Sequence, residues 1–146
     1  DRAAAHRIGW QYWAYCGCDD PTTTGPGATQ ALVLDPSRPP KGDNVDRHKL
    51  TAIVVPHPTA VSGVPTAYSF DRRSRVFAAS WSTGRAAGGR FGAGARTTLN
   101  VPRLVYPDGY RVAVTGGRVV SAPGARILVV AQDRGAAKVR LVVRPL

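Results

Sequence analysis

From residue 66 to the end, glycine, proline and charged residues divide the chain into short strand-sized runs, and this pattern constrains the fold most. The runs are residues 67–70, 76–82, 97–101, 111–115, 118–121, 127–131 and 139–143. Gly116 and Gly117 predict a hairpin turn between two of these runs. A series of this kind is typical of an antiparallel β-sandwich, and about 90 residues are enough for such a domain to fold by itself.

Alternation within the runs predicts which side chains form the core of the sandwich. In residues 76–82, Phe77, Ala79 and Trp81 share the apolar face of the strand. Trp81 is therefore predicted to be a core side chain and not a platform for a ligand. Alternation in the other runs extends the predicted core to Phe70, Phe77, Trp81, Leu99, Val112, Val114, Val120, Leu128, Val130, Leu141 and Val143.

Residues 8–15 are rich in aromatic side chains on both faces and carry no charge, which predicts a strand covered on both sides. A polar loop with two adjacent carboxylates, Asp19 and Asp20, follows this run. The aromatic rings suit either a floor that binds sugars or a core. Each of the two carboxylates suits either contact with a substrate or bracing of its own loop.

A helix is predicted over residues 43–55, with Asp43 or Asn44 as its cap and Pro56 at its end. Several prolines follow this helix and stiffen the next segment. The boundary between two domains is therefore expected near residues 55–59.

Three segments of the chain resemble the C-terminal part of endoglycosylceramidase-like enzymes of glycoside hydrolase family 5, in the same order. They read G-W-Q-Y-W-A-Y, H-K-L-T-A-I-V-V-P-H-P-T-A-V-S-G-V-P-T-A-Y-S-F-D and Y-P-D-G-Y-R-V-A-V-T-G-G-R-V-V-S-A-P-G-A. The resemblance implies that residues 1–56 are the tail of a (β/α)8 barrel, with its last strand, a loop and its last helix. It implies a C-terminal antiparallel, immunoglobulin-like β-sandwich over residues 57–146, and so a mainly β fold class. The chain departs from the family pattern at Cys16-Gly17-Cys18. The resemblance therefore implies no particular shape for the loop at these residues.

The same resemblance implies hydrolysis of the glycan–ceramide bond of glycosphingolipids. Trp13 would line the substrate floor, with Trp10 as the alternative, because a shift of one residue in strand register exchanges the two. The family uses two catalytic glutamates on earlier barrel strands, and this sequence contains no glutamate. We therefore expect the chain alone to be inactive, to use no cofactor and to meet glycolipid or carbohydrate only together with the rest of a barrel. The family also implies a secreted or cell-surface location.

The net charge of +11 invites an interpretation as a protein that binds nucleic acid or an anionic membrane. The arginines are spread through the chain and have no stacking motif beside them, so no specific nucleic-acid partner is predicted. Weak contact with an anionic membrane surface remains an expectation. The alternative function is a stand-alone β-sandwich module that binds carbohydrate or anionic surfaces.

The cysteines and the ends of the chain carry less information. Cys16 and Cys18 are predicted to be two thiols, because a disulfide between residues i and i+2 is strained; a strained bridge and a metal site are the alternatives. The first seven residues lack the apolar segment of a signal peptide, and no apolar run is long enough to span a membrane. We therefore expect a processed product or a fragment of a longer reading frame.

Overall fold

The chain forms two compact units. The computed structural model describes His6, Gln11, Tyr12, Ala14 to Cys16 and residues 30–146. One unit contains His6 and residues 55–146, and the other contains the described residues from 11 to 54. No helix among the described residues is long and apolar enough to cross a membrane.

Residues 55–146 form a β-sandwich of two four-stranded sheets. The strands are β1 (His57–Ala60), β2 (Val64–Asp71), β3 (Val76–Ser82), β4 (Arg96–Asn100), β5 (Tyr110–Thr115), β6 (Gly117–Val119), β7 (Ile127–Gln132) and β8 (Lys138–Pro145). One sheet has the order β1-β4-β7-β6 and the other has the order β2-β3-β8-β5. All neighbouring strands are antiparallel. The predicted mainly β fold class is confirmed, and each of the seven predicted runs corresponds to a strand.

The eighth strand, β1, was not expected, because its Pro58 was assigned to a stiff junction. Proline cannot donate a ladder hydrogen bond and is therefore confined to edge strands or bulges. β1 is the edge strand of its sheet, and Pro58 pairs with Leu99 beside an irregularity in the register. The position at the edge is the reason why this segment can be a strand.

The turn at Gly116 connects the two sheets and is not the hairpin that the sequence predicted. β5 pairs with β8, whereas β6 pairs with β7 in the other sheet. The backbone of Gly116 has a φ of +77°, and its carbonyl accepts a hydrogen bond from the Asp133 N–H at 3.0 Å. Asp133 belongs to the connection from β7 to β8, which also runs from one sheet to the other. The hydrogen bond therefore links two of the connections between the sheets, β5–β6 and β7–β8.

The core lies between the inner faces of the two sheets. In β3, buried Phe77, Ala79 and Trp81 alternate with half-exposed neighbours, as predicted. Leu99 of β4 and Leu128 of β7 are cross-strand partners from the opposite sheet, and both are fully buried. The alternation in the sequence therefore identified the core faces of both sheets.

Four predicted core residues are less buried than expected. Phe70, Val112 and Val114 are half-buried, and Val120 is 43 % exposed. The first three point inward, but they belong to β2 and β5, which are the edge strands of their sheet. Val120 follows the end of β6. Alternation predicts the face of the sheet on which a side chain lies. It does not predict whether the strand is central or at the edge, and this position decides how deeply the side chain is buried.

One large core residue was missed because it lies outside the strand pattern. Tyr106, in the connection from β4 to β5, is 2 % exposed and donates its hydroxyl to the carbonyl of Arg75 at 2.8 Å. Burial raises the pKa of Tyr106 to about 12. The phenol therefore stays protonated at neutral pH and keeps this bond to the β2–β3 turn.

The helix of the other unit is shorter than predicted. A single 3-10 turn covers Gly42–Asn44, and helix α1 covers Arg47–Ile53. Its N-cap is Asp46, whose Oδ1 accepts from the Lys49 N–H at 3.0 Å. Hydrogen bonds from Lys49 lower the pKa of Asp46, so the cap is ionised. The predicted cap at residues 43–44 was wrong because Asn44 is occupied elsewhere.

Candidate functional site

The four side chains predicted to face a substrate lie outside the described residues. These are Trp10, Trp13, Asp19 and Asp20. Their roles therefore stay predictions. What the structure does describe is the framework on either side of them, which comprises residues 11–16 without Trp13, and residues 30–54.

The strand predicted over residues 8–15 is not found among its described members. Gln11, Tyr12, Ala14 and Tyr15 belong to no strand, and an isolated parallel bridge pairs Cys16 with Val33. A strand needs a ladder of hydrogen bonds to a neighbour, and the described residues provide a single bridge here.

The described residues before and after residues 17–29 are held side by side. The Tyr15 carbonyl accepts from the Val33 N–H at 2.8 Å, and the Tyr12 hydroxyl donates to the Gln30 carbonyl at 2.6 Å. Ala14 and Val33 are both buried. The described residues that flank positions 17–29 are therefore bonded directly to each other.

One buried amide organises the second half of this framework. Asn44 is 1 % exposed, and its Nδ2 donates to the carbonyls of Asp35, Arg38 and Pro39 at 2.9, 3.1 and 3.1 Å. Its Oδ1 accepts from the Asp35 N–H at 2.8 Å. The amide therefore bonds four backbone groups of one loop. Two of the carbonyls also have a backbone donor: Asp35 accepts from the Arg38 N–H at 3.2 Å, and Pro39 accepts from the Lys41 N–H at 2.8 Å.

Main-chain bonds connect this loop to helix α1 and to the Cys16 segment. The Asn44 carbonyl accepts from the Leu34 N–H at 3.2 Å, and the Leu32 carbonyl accepts from the Asp46 N–H at 2.8 Å. Lys49 also donates from Nζ to the Ala31 carbonyl at 3.2 Å. The start of the helix is thus bonded to the same stretch that holds Cys16.

We expect Asn44→Asp to open this loop, because a carboxylate cannot donate to the three carbonyls that the amide now serves. The side chain of residue 44 is itself buried, and a buried polar group left without a suitable partner costs about 1–3 kcal/mol. Limited proteolysis should cut between residues 35 and 44 at least about ten times faster, which corresponds to about 1.4 kcal/mol of lost protection. Asn100→Asp, on the half-exposed side of β4, is the matched control. Equal cleavage of both variants would show that Asn44 does not organise the loop.

Cys16 corrects the prediction of two free thiols. It is disulfide-bonded, and none of the described residues is a free cysteine. The other cysteine in the sequence, Cys18, lies outside the described residues. The prediction relied on the strain of a closely spaced bridge, and such strain makes a bridge more reducible without forbidding it.

Five of the described aspartates serve turns, caps and surface ion pairs. Serine hydrogen bonds lower the pKa of two of them: Ser37 bonds Asp35, and Ser74 bonds Asp71. The remaining pairs are Asp43 with Arg38 at 3.0 Å, Asp46 with Lys49 at 2.8 Å and Asp133 with Arg118 at 3.3 Å. Within the described part of the chain, no group of His, Cys and Asp side chains could hold a metal ion.

Reasoning from the sequence missed the role of Asn44, whose side chain holds the loop of residues 35–39 through hydrogen bonds. Its position after Gly42 and Asp43 suggested a helix cap, which is the commonest use of asparagine there. The signal for its actual role is the proline-rich tract of residues 36–42, in which Pro36, Pro39 and Pro40 have no backbone N–H to donate. An asparagine after such a tract can supply the missing donors.

Comparison with known proteins places the chain in a family. Residues 56–143 match the model of the glycoside hydrolase family 5 C-terminal domain. Endoglycoceramidase I of Rhodococcus hoagii (strain 103S) is 36 % identical over 133 residues, which cover 90 % of this chain and 21 % of that protein. The chain thus spans about a fifth of the length of this relative.

Solved structures share the fold. Endo-glycoceramidase II from Rhodococcus sp., in its ganglioside GM3 complex, matches 99 % of this chain and 26 % of its own, with a TM-score of 0.62 and 24 % identity. Sterylglucosidase 1 of Cryptococcus neoformans matches 66 % of this chain and 14 % of its own, with a TM-score of 0.54 and 17 % identity. The sandwich and the family match together lead to one assignment: the chain belongs to the family of glycoside hydrolase family 5 C-terminal domains.

Proposed function

We propose that this chain is the C-terminal part of a glycosidase that cleaves the bond between glycan and ceramide in glycosphingolipids. The observation that supports the proposal most is the 36 % identity to Endoglycoceramidase I over 90 % of the chain. An alignment of that length must extend well beyond the sandwich into residues 1–56. The proposal therefore concerns both the barrel tail and the sandwich.

In this proposal the two parts of the chain have different tasks. Residues 1–56 complete the barrel and bring Trp13, or alternatively Trp10, to the substrate floor with Asp19 and Asp20 nearby. The sandwich of residues 57–146 braces the barrel. The anchoring of Cys16 to Val33 supports this division, because a loop that faces substrate needs rigid ends.

The catalytic carboxylates must come from outside this sequence. Retaining hydrolysis of a glycoside needs two carboxyl groups about 5 Å apart, one as nucleophile and one as acid and base. The sequence has no glutamate, and five of the described aspartates, Asp35, Asp43, Asp46, Asp71 and Asp133, are engaged in turns, caps and ion pairs. We also place the protein in a secreted or cell-surface location, which the disulfide at Cys16 supports.

The chain alone should hydrolyse no glycosidic bond, because it lacks the pair of glutamates and the strands that would carry them. The measurement is release of fluorophore from a fluorescent glycosphingolipid by the purified chain, compared with a heat-denatured sample. Turnover above that control would contradict the proposed division of labour.

A chimera tests the function itself. The corresponding C-terminal part of Endoglycoceramidase I is replaced by this chain, and hydrolysis of ganglioside GM3 is measured. We expect an active enzyme in which Trp13→Ala lowers kcat/KM by at least about tenfold, or about 1.4 kcal/mol of transition-state binding. Trp10→Ala is the matched control and reveals which of the two rings faces substrate. A folded but inactive chimera would overturn the proposal.

A further inference from the structure

The outer face of the sheet β2-β3-β8-β5 carries a cluster of exposed cations. Lys138, Arg140 and Arg144 lie on β8, and Arg111 lies on the neighbouring strand β5. We call these four side chains the cationic face. They point outward because the intervening residues of β8 are buried in the core; these are Val139, Leu141 and Val143.

Two members of the cationic face stand directly opposite each other. Arg111 and Arg144 are cross-strand partners, and like charges in this relation destabilise a sheet. The three salt bridges among the described residues involve other side chains. The one carboxylate on this face, Asp71, lies on the far edge strand and accepts two bonds from Ser74 at 2.6 Å. Among the described residues, no salt bridge neutralises this pair of arginines.

The cationic face lacks aromatic rings. The outward cross-strand neighbours of its cations on β3 and β5 are short and neutral: Ser82 beside Lys138, and Ser80 and Thr115 beside Arg140. The aromatic side chains of this sheet all lie on its inner face, and the structure describes the whole sheet; they are Tyr68, Phe70, Phe77, Trp81 and Tyr110. Sugars and single-stranded nucleic acids are bound largely by stacking on aromatic rings, which this face does not offer.

We propose that the cationic face binds the surface of an anionic lipid bilayer. From residue 138 to residue 144 the cations follow one strand over about 20 Å. Val142 interrupts this row between Arg140 and Arg144, and Arg111 on β5 adds a fourth cation beside Arg144. A row of this length can meet several phosphate headgroups of a bilayer at once, and each basic residue near an anionic surface adds to the attraction. Strand β1, which receives the preceding chain, belongs to the other sheet. The inference goes beyond the proposed glycosidase, because it depends on the sandwich surface alone.

The test measures binding of the 146-residue chain to sedimented vesicles of phosphatidylglycerol and phosphatidylcholine in equal parts. Each basic residue near an anionic surface contributes about fivefold in binding, equivalent to about 1 kcal/mol. The double variant Arg111→Gln/Arg144→Gln should therefore bind about 25-fold more weakly. Binding should also fall steeply with added salt, because the headgroup charges are screened.

A variant with the same net charge separates the cationic face from overall charge. Arg96 and Arg126 are exposed, and they lie at the start of β4 and next to β7, in the other sheet. Arg96→Gln/Arg126→Gln should reduce vesicle binding less than about threefold, well under the loss expected for a contacting pair. An equal loss in both double variants would overturn the proposal, because net charge alone would then explain binding.

Two further measurements keep the test decisive. The Arg111→Gln/Arg144→Gln variant should melt at or above the temperature of the parent, since a like-charge pair is removed. This result would show that weaker vesicle binding does not come from unfolding. Tight binding to duplex DNA without binding to the vesicles would also overturn the proposal and assign the face to nucleic acid.

Discussion

Trp81→Ala should lower the free energy of unfolding of the sandwich by about 3–5 kcal/mol, the range for a large aromatic removed from a core. Trp81 is 2 % exposed on the central strand β3, where it pairs with Pro65 of β2 and Val139 of β8. Strands on both sides prevent the cavity from collapsing. For a domain of this size the melting temperature should fall by about 12 °C or more.

Two controls accompany the Trp81 experiment, which uses thermal unfolding followed by circular dichroism. Ile127→Ala, at a side chain 44 % exposed, should shift the melting temperature little. Trp81→Phe should cost less than the alanine variant, because the indole Nε1 has no hydrogen-bond partner among the described residues. If Trp81→Ala melted like the parent but lost affinity for a glycan, the sandwich would be a carbohydrate-binding module.

The second large effect is expected at Gly116, where the chain crosses from one sheet to the other. A Cβ at this position would stand 2.2 Å from the Lys138 carbonyl oxygen, a backbone atom that cannot move aside. The φ of +77° adds strain for any other residue. Gly116→Ala should therefore cost more than about 4 kcal/mol, a range reached by few single substitutions.

Gly124→Ala is the matched control for the crossing. Gly124 has a similar φ of +68°, but a Cβ there would meet nothing within 4 Å. This variant should lose only about 1–2 kcal/mol, the cost of a left-handed conformation in a residue with a side chain. Chemical denaturation of both variants gives the difference that is due to the clash. Equal losses would mean that the backbone around Lys138 can shift to accept a methyl group.

Much of the sandwich could be predicted from the sequence because strand formation and face are local properties. The alternation in residues 76–82 identified the strand with its bounds and placed Phe77 and Trp81 in the core. The family resemblance depended on the same local segments, and the match over residues 56–143 confirms it. In contrast, the four predicted substrate-facing residues stay predictions, because they lie outside the described part of the chain.

The sequence by itself thus determined seven of the eight strands of the sandwich and their inward faces, since both depend on neighbouring residues. It also indicated the family. Only the tertiary structure decided which strands pair. The two glycines at 116–117 predict a hairpin between β5 and β6. In the structure, β5 pairs with β8 in one sheet and β6 pairs with β7 in the other. Tertiary structure also placed Arg111 opposite Arg144, which are far apart in the chain. Pairings of this kind join strands that are distant in the sequence, and they depend on how the two sheets pack their apolar faces against each other. A local sequence pattern carries no information about this packing.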